Sequence, residues 1–180
     1  MSTLSVVLLV VVIVLAAAVA LLLITQRRSH HLRSKFGPEY HRTVAELGGR
    51  AKAERDLERR EKRIQRLDLR SLPPATRDRY VDAWRLDQAR FVDDPKGAVL
   101  EADRLVQSVM RERGYPVADF DQRVDDISVD HPHVVENYRA ARDIVVRHQR
   151  GEATTEDLRR ALVHYRALFD ELLEIQEVRV

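Results

Sequence analysis

The chain has no cysteine in 180 residues, which excludes a disulfide framework, a thiol nucleophile and any zinc or iron–sulfur centre held by thiolates. Packing alone must hold it together. Glycine and proline number six each, and no glycine-rich turn follows a strand-like run, so the phosphate cradles of P-loop and Rossmann folds are missing. Aromatic residues make up 6% of the chain. None interleave with the basic residues as a base-stacking surface would require, and nucleic acid is not expected as a partner. Lysine is also scarce, at 4 against 27 arginines, a ratio that reflects coding bias rather than any physical constraint.

The apolar residues are unevenly spread. Residues 1–26 hold 21 of them and no charged side chain. The run LSVVLLVVVIVLAAAVALLLI, residues 4–24, is interrupted only by Ser5, and at 1.5 Å per residue it matches the ~30 Å hydrocarbon core of a bilayer. A cleavable signal peptide would show a basic start and a shorter apolar stretch ending at a small-x-small site. Ala18-Val19-Ala20 mimics such a site, but Leu21, Leu22, Leu23 and Ile24 prolong the apolar run past it. Residues 1–26 therefore read as a retained transmembrane anchor. No Lys or Arg precedes the run, whereas Arg27, Arg28, Arg33 and Lys35 follow it at once, which places the C-terminal part in the cytoplasm. These four cations read equally as the flank that sets topology and as a surface attracted to anionic headgroups. Ala16 and Ala20 are spaced as a small-residue helix contact, or as plain lipid-facing filler.

Residues 27–70 carry 14 basic and 7 acidic side chains, while residues 71–180 carry 17 and 22. Phe36-Gly37-Pro38 breaks the first helix and starts a second. Tyr40, Val44, Leu47 and Ala51 form a brief heptad-like stripe, weakened by Gly48-Gly49, and Glu54 takes the next stripe position. Beyond it opposite charges interleave, with only Leu57, Ile64 and Leu67 as an apolar line. A continuous helix of about 30 residues here would be a spacer of ~45 Å or one strand of a weak homodimeric coil, and the spacer reading is favoured.

From residue 71 onward the apolar spacing predicts five amphipathic helices. Tyr80, Val81, Trp84, Phe91 and Val92 mark the first, and Ala98, Val99, Ala102, Leu105, Val106, Val109 and Met110 the second, with Asp94 as N-cap and Pro95 at its first position. Val117, Phe120, Val124 and Ile127 mark the third, whose other face is acidic through Asp119, Asp121, Asp125 and Asp126. Val134, Val135, Tyr138, Ala141, Val145 and His148 mark the fourth. The fifth opens with a capping-box pattern at Thr154 and runs from Leu158 to Leu173. Short connections make successive helices antiparallel neighbours around one core. The expected fold is all-α: a single transmembrane helix (1–26), a basic juxtamembrane segment and long charged helix (27–70), and a small five-helix bundle (71–180).

Candidate chemistry is thin. Asp125, Asp126, Asp130, His131 and His133 lie close in sequence, and carboxylate with imidazole can bind a divalent metal. Asp130, His131 and His133 are its core. The same residues also read as a helix start capped by Asp130, with Pro132 in its first turn. Trp84 is expected in the core, His148 at the core edge, His164 in solvent, and His30 and His31 at the membrane surface. The acidic face of the third bundle helix suits a basic partner, including the chain's own connector folding back. No catalytic residue and no cofactor is expected.

The segments RSKFGPEYHRTV (33–44), RFVDDPKGAVLEADRLVQSVMRERGYPV (90–117) and DHPHVVENYRAARDIVVRHQRGEATTEDLRRALVHYRALFDELL (130–173) resemble an uncharacterised bacterial family of membrane-anchored or secreted proteins. The resemblance implies a bacterial cytoplasmic membrane as the location and carries no activity. The expected function is a single-pass, non-enzymatic scaffold presenting a helical interaction domain to a protein partner. An exported, stress-related envelope protein and a metal-binding protein built on the 125–133 loop are the alternatives.

Overall fold

The computed structural model describes residues 3–174, and every regular element among them is an α-helix. In chain order these are α1 (Thr3–Phe36), α2 (Pro38–Leu47), α3 (Arg50–Ile64), α4 (Pro74–Arg90), α5 (Pro95–Arg113), α6 (Phe120–Asp130), α7 (Val135–Gln149) and α8 (Thr155–Leu172). They divide into two compact units, Met1–Glu58 and Arg59–Val180.

In the first unit α1 stops where the sequence says it should. Gly37 takes a φ of 49° and Pro38 occupies the first position of α2, the one place in a helix where a missing N–H costs nothing. α2 is then ended by Gly48, in the left-handed conformation at φ 64°, with its N–H bonded back to the Val44 carbonyl. A side chain with a Cβ pays about 1 kcal/mol or more for that backbone and glycine does not. The break divides the charged stretch into α2 and α3, so the continuous 30-residue spacer is not formed. The stripe used is also shorter than the spacing suggests. Tyr40 and Thr43 are buried, Val44 is half-buried, and Leu47 and Ala51 lie in solvent.

The second unit contains the five expected helices, α4 to α8, with the last turns of α3. Asp94 caps α5 by accepting from the Gly97 N–H at 2.8 Å, and Thr154 and Asp157 close a reciprocal capping box on α8. Gly114 ends α5 at φ 95°, and a Cβ there would sit 2.5 Å from the Asp68 carbonyl, so only glycine lets the 65–73 connection pass this closely. α5 packs on α4 and α8, and α7 packs on α8. The interior they share with α6 holds Val106, Met110, Ile127, Tyr138, Tyr165 and Phe169, all essentially fully buried. Trp84 stacks on Phe169 with ring centroids 4.6 Å apart, and Tyr138 lies between Phe120 at 4.9 Å and Tyr165 at 6.2 Å.

Three details differ from the periodicity. Val92 is 84% exposed, because α4 has already ended at Arg90 and the residue falls in the turn before Asp94. Asp130 is the last residue of α6 rather than the cap of α7; its carboxylate accepts from the Tyr115 hydroxyl at 3.0 Å, and Val134 starts α7 without a side-chain cap. The acidic side of α6 is not all solvated. Asp126 is fully buried and pairs with Arg63 at 2.7 Å, while Asp125 pairs with Arg60 at 2.7 Å. The end of the basic connector does therefore fold back onto α6, as the opposed charges suggest.

Candidate membrane-proximal site

α1 changes character once along its length. Leu8 and every side chain from Val11 to Arg28 are exposed on all sides of the helix, then Ser29, Leu32 and Phe36 are buried at intervals of three and four. The second half packs like an amphipathic helix of a soluble protein. The first half does not: Val11–Phe36 includes a window of mean hydropathy 1.9, none of it buried. An apolar surface of this size is unstable in water and stable in hydrocarbon. Among the described residues this is the one helix long and apolar enough to cross a membrane, a test that a signal sequence near an N-terminus also passes.

Just beyond the apolar run α3 is tied to α1 by side chains. The Ser29 hydroxyl and the Tyr40 hydroxyl (2.8 Å) both donate to Glu54, and Arg50 donates to Glu54 through Nε (2.8 Å) and also reaches Ser29. Burial alone pushes the Glu54 carboxyl up, but the hydrogen bonds from Ser29, Arg50 and Tyr40 outweigh it and hold the group below its usual range. Glu54 is thus an ionised hub.

The four basic residues that follow the apolar run have separate fates. Arg28 is ion-paired with Glu58. Arg33 lies over the Tyr40 ring, 5.3 Å from its centroid. Lys35 is half-buried and engaged. Arg27 remains exposed at the end of the apolar run, beside Gln26, His30, His31 and Ser34, which with it line an open groove of about 500 Å³.

The 125–133 residues are drawn apart. Asp125 and Asp126 face Arg60 and Arg63, Asp130 meets Tyr115, His131 Nδ1 lies 3.0 Å from Glu171, and His133 is exposed. Among the described residues no group of three His, Asp or Glu side chains converges to hold a metal ion. His164 is half-buried against Asn137 at 2.8 Å rather than in solvent, because α7 packs along α8 there.

The sequence marks Glu54 only as the end of its apolar stripe and leaves Asp87 unremarked, yet both carry the same signal: an acid at the next position of an apolar stripe. Asp87 follows Trp84 by three residues, is 4% exposed, and neither of its oxygens has a hydrogen-bond partner among the described residues. Burial, and then the nearby Glu101 charge, push it up to about 6. A carboxyl raised in the fold favours folding while it is protonated, so this contribution is complete below about pH 4 and is lost as the pH rises through 6. Asp87→Asn should therefore raise the thermal midpoint at pH 7.5 and leave it nearly unchanged at pH 4, measured by circular dichroism at both values. Equal effects at the two pH values would contradict the assignment.

The chain matches no protein-family model, no curated protein and no solved structure, so a functional reading has to stand on the placement of its own residues.

Proposed function

We propose that the protein is a single-pass, membrane-anchored, non-enzymatic scaffold that presents its helical bundle on the cytoplasmic side of a bacterial membrane. The observation that carries this reading is the mid-helix change in α1. Apolar side chains exposed on every side run without a break into a half whose Ser29, Leu32 and Phe36 are part of a folded unit. Two features support retention. The helix passes through Ala18-Val19-Ala20 with no interruption, and its second half is held by Glu54 and Glu58 of α3. The cations that follow the run support a cytoplasmic bundle.

Export is the second reading, favoured by the small-x-small pattern and the N-terminal position of the run. Fractionation separates the two. Under the anchor reading the intact chain sediments with membranes and resists alkaline carbonate; recovery of a chain shortened by about 20 residues in the wash or the medium would establish export instead.

A further inference from the structure

The structure sorts the basic flank into cations engaged by the fold and cations left exposed at the end of the apolar run, and from that sorting we infer a binding site for the phosphate of an anionic phospholipid headgroup, formed by Arg27 and His30 with Gln26. This inference rests on the anchored reading above and names the lipid that the anchor selects.

Three observations carry it. The groove lined by Gln26, Arg27, His30, His31 and Ser34 contains no carboxylate, and every lining side chain offers an N–H or O–H donor. The neighbouring groove, lined by Thr25, Gln26, Arg50, Ala51 and Glu54, contains one. The depth is also right. At 1.5 Å per residue Arg27 lies ~4.5 Å and His30 ~9 Å past Ile24, so the pair brackets the outer edge of the ~5–8 Å headgroup layer that flanks each side of the hydrocarbon core. Arg27 and His30 are spaced i,i+3, on one face of the helix, and both are exposed. Finally, the other nearby cations, though exposed, already have partners: Arg28 has Glu58, Arg50 has Glu54 and Ser29, and Arg33 lies over Tyr40. Arg27 can therefore meet a phosphate diester with two parallel N–H donors while His30 closes on it from the next turn. A free phosphate ester offers the same chemistry. A lipid is favoured because the groove is continuous with the apolar surface that would take the acyl chains.

The test uses the full-length chain reconstituted in phosphatidylcholine vesicles containing spin-labelled phosphatidylglycerol or spin-labelled phosphatidylcholine, with motionally restricted lipid measured by electron paramagnetic resonance. The expected result is a preference of about five-fold for the anionic label, abolished in Arg27→Gln/His30→Gln, kept in Arg27→Lys, and kept in Arg28→Gln, whose charge Glu58 already holds. Equal restriction of the two labels, or an undiminished preference in the double variant, would overturn the site while leaving the anchor intact. Loss of the preference on adding soluble glycerol phosphate would assign the groove to a free ester and overturn the lipid assignment. A chain that does not enter the vesicles at all removes both readings together.

Discussion

Arginine placed at both Val14 and Ala18 should take the protein out of the membrane fraction. At the centre of a spanning helix each arginine costs about 2.5–3.5 kcal/mol on insertion scales, so the pair opposes insertion by about 5–7 kcal/mol. Val14 and Ala18 are exposed, so the substitutions disturb no packing within the chain. The folded units should keep their helical circular dichroism and thermal midpoint in detergent while carbonate-resistant sedimentation is lost. A double variant that still sediments with washed membranes would mean that something other than the apolar run holds the chain there.

Trp84→Ala carries the second large effect, and it falls on the bundle. The indole is 4% exposed and stacked on Phe169, joining α4 to α8. Removing it leaves a cavity in a well-packed interior, which costs about 3–5 kcal/mol for a large aromatic. For a unit of this size that lowers the thermal midpoint by roughly 10–25 °C. Trp84→Phe keeps most of the stack and should cost much less. The readout is helical ellipticity of the detergent-solubilised chain against temperature, and an unchanged midpoint for the alanine variant would show that α4 is not held through this contact.

Both predictions rest on features legible in the sequence. The apolar run, the break at Phe36-Gly37-Pro38 and the five bundle helices could be read because each depends on local chemistry: uninterrupted hydropathy, a proline that fixes its own φ, or a capping residue beside an apolar stripe. Asp94 and Thr154 act as the caps their positions indicate. What could not be read was which charged residues would turn inward. Interleaved charges in residues 50–70 look the same whether a helix stands free in solvent or is packed. Choosing between these states depends on Glu54 finding Ser29 and Tyr40, 25 and 14 residues away in sequence. Arg63 and Asp126 meet across 63 residues. Periodicity carries no information about such pairs.

The same reasoning explains the fate of the acidic and histidine loop. Five potential ligands within nine residues look like a cluster on a line of text. Once α6 is wound, successive residues point about 100° apart, so Asp125 and Asp126 diverge, while His131 and His133 lie beyond its end at Asp130. Asp130 is drawn to Tyr115 and His131 to Glu171, while Asp125 and Asp126 answer arginines of α3. The buried Asp126 contact also shows how part of the charge difference between residues 27–70 and 71–180 becomes structure within the chain, while Arg27 stays exposed at the end of the apolar run.

The most direct test of the central claim, that the apolar helix stays attached and leaves the bundle on the side of its basic flank, uses the absence of cysteine. Val163→Cys, at a site 54% exposed on α8, introduces the only thiol in the chain. Labelling intact cells and inverted membrane vesicles with a membrane-impermeant maleimide, followed by intact-mass measurement, should give an unlabelled full-length chain from cells and a labelled full-length chain from inverted vesicles. Label acquired from outside intact cells, or a mass lacking the first 20 or so residues, would contradict the account.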